Sequence, residues 1–343
     1  MLDLLKIDDN KLSQTIRSLK GEFISRGWGA EIPNLGSSHV FVDRKDGSAP
    51  LHIFSSTPPA TSFAAGLLAN DKYGVYQVLK VQDIPQPETI VVNSSSPNAV
   101  ADAEKLIEKV GKVVIKPVDG GHGNGVTVNI NQTSEILPAM KKAAIFNKSS
   151  SRRVLVQEMI DENLLDIRIL CIDYKFVAAI NRVPASVTGD GKHSVEELIN
   201  IENTTFRGKA YFAELATIDV EDARQYLGDS IHDIPDKGVE IRTLGVANYG
   251  RGGKLVDITD DIPEWMQREA EKAATACGLA VCGVDYLAER VSKDQKRGDI
   301  PAFIVELNKT PILAIHDAPT VGKNRGAVKN YVDYLARIGA NDV

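Results

Sequence analysis

The feature of this sequence that most narrows its fold is an apolar strand that delivers a lysine into a glycine-rich turn and then resumes as a strand. The segment reads Val113-Val114-Ile115-Lys116-Pro117-Val118-Asp119-Gly120-Gly121-His122-Gly123-Asn124-Gly125-Val126. Four glycines fall within the six positions 120–125. Without Cβ atoms they let backbone N–H groups approach an anion closely. Lys116, leaving an apolar strand, adds a fixed cation beside them. No Gly-Lys-Ser/Thr follows the glycines, so this is not a Walker A loop. The return to a strand also excludes a dinucleotide fingerprint, which opens a helix. A plain glycine-rich hairpin with a surface lysine is the competing reading.

Segments with strand and helix patterns alternate along the chain, which predicts an α/β or α+β architecture. Helices are expected over residues 9–26, 62–81, 98–110, 136–144 and 264–277. Strands are expected over 89–92, 113–116, 126–130, 154–158, 280–287 and 302–307, with a hairpin formed by 167–172 and 176–180. A chain of 343 residues with 43% hydrophobic and 25% charged residues is ordinary for a globular protein of two or three subdomains. A net charge of −6 argues against nucleic acid as a partner. Cys171, Cys277 and Cys282 form no Cys-x-x-Cys pair, which fits buried thiols in a reducing cytoplasm. The acidic N-terminus is unlike a signal peptide, and no run approaches the roughly 20 apolar residues of a membrane span.

A second constellation lies near the C-terminus. Val284-Asp285-Tyr286 ends one apolar strand and Val305-Glu306-Leu307-Asn308 ends another. Alternation along a strand puts Glu306 and Asn308 on one face. If the two strands are neighbours, Asp285, Glu306 and Asn308 bring two carboxylates and an amide oxygen together. Such hard oxygen ligands suit Mg²⁺ bridging phosphates, whereas zinc would call for cysteine or histidine. Solvated acids at strand ends are the competing reading.

With both elements in view, the sequence resembles the ATP-grasp ligases, in particular the ATP-grasp portion of cyanophycin synthetase and glutathione-synthetase-like ligases. The resemblance runs from about Thr61 to Arg325. It is carried by the segment 62–72 ending in Asp71-Lys72, Ile84-Pro85-Gln86-Pro87, Lys116 through Val128, Arg182-Val183-Pro184-Ala185-Ser186-Val187-Thr188-Gly189-Asp190-Gly191-Lys192-His193-Ser194, residues 248–253, and Asp257-Ile258-Thr259-Asp260. It implies an α+β fold of the ATP-grasp type, with the nucleotide between two α+β subdomains and a small N-terminal α/β region. The corresponding divisions are 1–68, 69–160 (central subdomain with the flap) and 161–343 (C-terminal subdomain with the metal ligands).

The resemblance also implies roles. ATP with Mg²⁺, or Mn²⁺ in its place, is the expected cofactor set. Lys72 and Lys116 would hold phosphates under the loop of Gly120, Gly121, His122, Gly123 and Gly125. Glu158, Met159 and Ile160 would receive adenine, and Asp166 the ribose. Arg168 and Arg182 would act with Lys116 on the transferred phosphoryl group, and Asp285, Glu306 and Asn308 would carry the metal. Arg242, Asn248, Arg251 and Gly252 are the candidates for binding a substrate carboxylate. The implied reaction joins a carboxylate to an amine through an acyl phosphate, on an amino acid or short peptide, in the cytoplasm, with a homodimer as a fair expectation. A small-molecule kinase and a non-catalytic ATP-binding protein are the alternatives. After Asn308 the family has a small residue and then Pro-Gly, but here the chain reads Lys309-Thr310-Pro311-Ile312. The chain ends soon afterwards, without the Mur-ligase-like second domain of cyanophycin synthetase, which speaks against polymer synthesis.

Overall fold

The computed structural model of the chain describes residues 1–121, 123–148, 152–160, 164–205, 217–245 and 251–341. At the N-terminus, β1 (Leu2–Asp3), β2 (Gly29–Ile32), β3 (His39–Asp43) and β4 (Leu51–Phe54) pair antiparallel in sequence order, making this region α+β. The helix expected from residue 9 begins later, as α1 (Gln14–Ser25), because Ser13 caps it and residues 9–11 form a separate 3-10 turn. Ile16, Leu19 and Phe23 form a fully buried stripe packed with Val40, Val42 and Ile53.

The helix expected over 62–81 is two helices, α2 (Phe63–Leu68) and α3 (Lys72–Val81). Asp71 divides them, its carboxylate accepting from the N–H groups of Tyr73 and Gly74, both at 3.0 Å. An N-cap is worth about 1 kcal/mol, whereas each buried Val, Leu or aromatic side chain contributes about 1.5–3 kcal/mol. The cap therefore fixes where α3 starts, and burial of Val75, Tyr76 and Leu79 fixes where it lies.

Next come β5 (Thr89–Asn93), α4 (Ala99–Val110), β6 (Val113–Pro117), β7 (Thr127–Ile130), α5 (Thr133–Ile145) and β8 (Arg153–Glu158). The strands form an antiparallel sheet in the order β5-β8-β6-β7, sharing a core with α4 and α5.

The chain continues through β9 (Leu165–Ile172), β10 (Lys175–Val183), β11 (Ser186–Thr188), α6 (Val195–Thr205), α7 (Val220–Leu227), β12 (Glu240–Arg242) and β13 (Lys254–Asp257). It closes with α8 (Glu264–Ala276), β14 (Val281–Ala288), β15 (Ala302–Asn308), α9 (Ala314–Asp317) and α10 (Ala327–Asn341). Asp173 and Tyr174, both at positive φ, make the tight β9–β10 turn that matches strand twist. A five-stranded antiparallel sheet, β13-β10-β9-β14-β15, results, while β11 and β12 pair apart from it over their own small core.

Packing crosses the sequence divisions in two places. Val75, Leu79 and Ile84 lie within segment 69–160, yet they are buried with α8 and the five-stranded sheet. Tyr331, Val332 and Leu335 of α10 complete the N-terminal core. Amphipathic spacing says that such helices must bury a face, but not against which sheet.

Candidate active site

The strand pairing of the five-stranded sheet builds half of the site. On β9, Asp166 and Arg168 are two residues apart and share a face. Cross-strand register sets Arg182 opposite Asp166, and Asp285 opposite both Arg168 and Glu306. Asn308 is opposite Gly283. A Cβ on Gly283 would lie 2.6 Å from Arg168 Cδ, so glycine there gives the Arg168 side chain room to cross the sheet. The opposite face, with Ile167, Ile169, Val284 and Tyr286, is core.

These polar residues form a closed ion-pair knot. Arg168 pairs with Asp285 through Nε, and its Nη2 donates to Asp285 Oδ2 at 3.0 Å. Arg182 pairs with Asp166 and also donates to Asp285 Oδ2 at 3.1 Å. Burial pushes the Asp285 carboxyl up, but Arg168 and then Arg182 outweigh it and hold the group below its usual range. For Asp166 burial wins, and its carboxyl is raised despite Arg182. Burial also opposes the Arg182 charge, but Asp285 and Asp166 together raise it. Asp166, expected at the ribose, is therefore engaged with Arg182, and it is not among the residues lining the groove described below.

The other half comes from the β5–β8 sheet. Lys116, on β6, donates to Gln157 Oε1 at 2.7 Å, and Gln157 Nε2 donates to Thr89 Oγ1 at 2.8 Å. Gln157 thus orients the lysine; it is a polar residue in the apolar strand Val154-Leu155-Val156, a signal that could have singled it out. Lys116 is partly exposed as a residue, but its ammonium lies in the dense floor of the cleft. Loss of hydration there outweighs the attraction of Glu306 and pushes it down to about 8. Lys72, at the start of α3, donates to Gly120 O at 2.6 Å and pairs with Glu306 at 3.1 Å. That bridge ties the glycine loop to β15.

Between the two sheets runs an open groove of about 340 Å³. Lys72, Lys116, Gly120, Gly121, Gly123 and Glu306 line it, together with Glu158, Met159 and Ile160. The N–H groups of Glu158 and Met159 are already used, donating to Glu88 O at 2.7 Å and Lys112 O at 2.9 Å. The loop's tight return depends on Gly125, at φ +74°, where a Cβ would lie 2.8 Å from Phe146 Cβ. His122 lies outside the described residues, as does Asn248.

The donor set fits a hard divalent cation. Asp285 and Glu306 face each other across neighbouring strands, and Asn308 Nδ2 lies 3.2 Å from Asp285 Oδ2. All three can offer oxygen. Among the described residues no group of three or more His, Cys, Asp and Glu side chains is placed to hold a metal ion.

The substrate candidates are placed elsewhere. Arg242 is exposed on β12, and Arg251 donates from Nε to Asp222 Oδ2 at 2.8 Å, beside α7. A Cβ on Gly252, at φ +92°, would lie 2.7 Å from Ile218 Cγ1, so that position packs closely. None of the three lines the groove.

Comparison with known proteins agrees with this geometry. Residues 69–196 match the RimK-like ATP-grasp domain. Cyanophycin synthetase from Crocosphaera subtropica is 35% identical over 278 residues, covering 78% of this chain and 30% of that protein. The glutathione biosynthesis bifunctional protein GshAB from Clostridium perfringens is 27% identical over 341 residues, covering 97% of this chain and 42% of that protein. The chain thus spans less than half the length of either relative. A crystal structure of a bifunctional glutathione synthetase from Pasteurella multocida superposes with a TM-score of 0.67 at 23% identity, over 96% of this chain and 44% of that one, a likeness of fold. The paired antiparallel sheets, the glycine loop over two lysines and these matches establish the ATP-grasp fold; residues 69–196 carry a RimK-like ATP-grasp domain, and the chain is homologous to cyanophycin synthetase and to GshAB.

Proposed function

We propose that this protein is an ATP-dependent carboxylate–amine ligase that forms an amide bond through an acyl phosphate, acting on an amino acid or short peptide. The observation that carries this reading is that Lys72, Lys116 and Glu306 line one groove, with Asp285 opposite Glu306 on the neighbouring strand and Asn308 two residues further on. A carboxylate resists attack because its charge repels nucleophiles and oxide is a poor leaving group. One carboxylate oxygen attacks the γ-phosphorus of ATP, the bond to the β–γ bridging oxygen breaks, and ADP departs. The amine lone pair then adds to the activated carbonyl, the C–O bond to phosphate breaks, and the ammonium proton is lost to solvent.

In this reading the adenine lies against Glu158, Met159 and Ile160. Lys72 and Lys116 hold phosphate oxygens, and Arg168 and Arg182 meet the charge that develops on the transferred group. Asp285, Glu306 and Asn308 hold Mg²⁺, or Mn²⁺ in its place, which neutralises phosphate charge when bound. The glycine loop covers the acyl phosphate and keeps water from it. Arg242, Arg251 and Gly252, with Asn248 outside the described residues, would be the candidates for binding a substrate carboxylate. The three cysteines, all buried free thiols, accord with a cytoplasmic setting.

The test is phosphate release from Mg-ATP across a panel of amino acids and dipeptides, with mass spectrometry of each responding mixture. Substrate-dependent ADP and phosphate, with a product mass equal to the two substrates less one water, is the expected result. ADP with a stable phosphorylated product and no free phosphate would replace the ligase by a kinase.

A further inference from the structure

The solvent face of the N-terminal sheet carries four rings that nothing above uses. β3 presents His39 and Phe41 there, because the alternating Val40 and Val42 are fully buried on the other face. β4 does the same with His52 and Phe54 around the buried Ile53. Register sets Phe41 opposite His52 and Phe54 opposite His39, so the two histidines are diagonal neighbours. Diagonal positions on paired strands lie about 7–8 Å apart, a gap that two aromatic side chains can close. Here they close it. His39 Nδ1 and His52 Nε2 are 2.8 Å apart, one nitrogen donating its proton to the other.

The two phenylalanines hold this pair in place. The Phe41 ring stacks on His52, with centroids 4.7 Å and planes 13° apart, and Phe54 meets His39 edge-on at 4.9 Å and 66°. Both histidines are exposed, so solvent reaches the pair. An ion bound at about 2.0–2.1 Å from each of two imidazole nitrogens sets those nitrogens about 3 Å apart. The observed 2.8 Å is close to that separation, and a small turn of the rings aims both lone pairs at one point. No third His, Cys, Asp or Glu joins them among the described residues, so water fills the remaining positions.

We propose that His39 and His52 form a binding site for a divalent ion of the Zn²⁺ and Cu²⁺ class on the outer face of the N-terminal sheet. The site stands apart from the ATP groove and does not depend on the ligase reading. Imidazole nitrogen suits these ions, whereas Mg²⁺ takes oxygen donors such as Asp285, Glu306 and Asn308. All three cysteines are buried, so they offer no competing thiolate at the surface. Binding changes no oxidation state. The shared proton passes through solvent to the far nitrogen of its own ring, and the two facing lone pairs bond to the ion. The flanking phenylalanines keep both rings near their binding positions, which reduces the ordering cost of chelation.

The test titrates the full chain with Zn²⁺ by calorimetry, in excess Mg²⁺ to fill oxygen sites, for the native protein, His39→Gln, His52→Gln and the double variant. The native protein should bind a single equivalent. Each single substitution should weaken binding by roughly tenfold or more, and the double variant should lose it. His193→Gln, which removes a ring already bonded to Asp190, should leave it unchanged. Binding retained by the double variant would place the ion elsewhere and overturn the proposal. So would a loss on one single substitution but not the other, which reduces the site to one imidazole, or no binding at all, which leaves only a hydrogen bond between strands. A second measurement needs no variant. Diethyl pyrocarbonate modification of the native protein is mapped by mass spectrometry with and without Zn²⁺. Protection of both His39 and His52 supports the site, and equal modification of either with and without the ion overturns it.

Discussion

The two flanks of the cleft carry similar charge and manage it in opposite ways. On the five-stranded sheet, Arg168, Arg182, Asp166 and Asp285 neutralise one another, and register between distant strands sets every contact. On the glycine-loop side, Lys116 meets only a neutral amide and Lys72 shares Glu306 with a carbonyl contact. The arginine flank is thus neutralised within itself in the free protein, whereas the lysine flank is left short of negative charge. A phosphate chain supplies what the lysines lack, and the knot holds the sheet face that receives it. Stability should therefore depend on the arginine flank far more than on the lysine flank.

The largest expected effect breaks the knot. Asp285→Asn leaves two half-buried guanidinium groups with Asp166 alone and should cost about 3 kcal/mol of stability, together with activity. Denaturant unfolding measures this, and an unchanged midpoint would show that the knot is not structural. On the other flank, Lys116→Met should reduce turnover by about 10²–10³-fold while leaving the unfolding midpoint at or above that of the native protein. A large loss of stability in that variant would erase the distinction. Smaller again is Gly283→Ala, whose added methyl would collide with Arg168; overpacking of this kind costs about 1–3 kcal/mol. The smallest effect is a pH dependence. Lys116 sits at about 8 in the free protein and phosphate binds its charged form, so ATP affinity should be flat below pH 8 and fall above it, by about tenfold per unit at most. ATP binding above pH 8 should then take up a proton, visible as a buffer-dependent heat, and Lys116→Met should abolish both signs. The same burial lowers Lys116 from 10.5, so folding itself gains stability as pH rises between about 8 and that value.

What could be read from the sequence was local. The lysine strand and its glycine loop are contiguous, and Glu306 and Asn308 obey strand alternation, so their shared face needs no knowledge of the rest of the chain. The Arg168–Asp285 contact spans 117 positions and depends on which strands become neighbours. Asp166 shows the consequence: the resemblance implies a ribose contact, while register sets its carboxylate against Arg182. Asp71 divided an apolar stretch that reads as one helix, because a capping side chain overrides continuous spacing. Lys309 appeared in the sequence only as a departure from a family pattern. Its ammonium reaches Gly66 O, 243 positions away, a contact that no local pattern could reveal.

The most direct test of the central claim, that the carboxylate is activated as an acyl phosphate, is the fate of its oxygen. A responding carboxylate substrate labelled with oxygen-18 is turned over with Mg-ATP and the amine, and the released phosphate is analysed by mass spectrometry. Attack on the γ-phosphorus predicts one labelled oxygen in each phosphate released. Phosphate without label, formed alongside the amide, would contradict the account and move the chemistry away from the carboxylate.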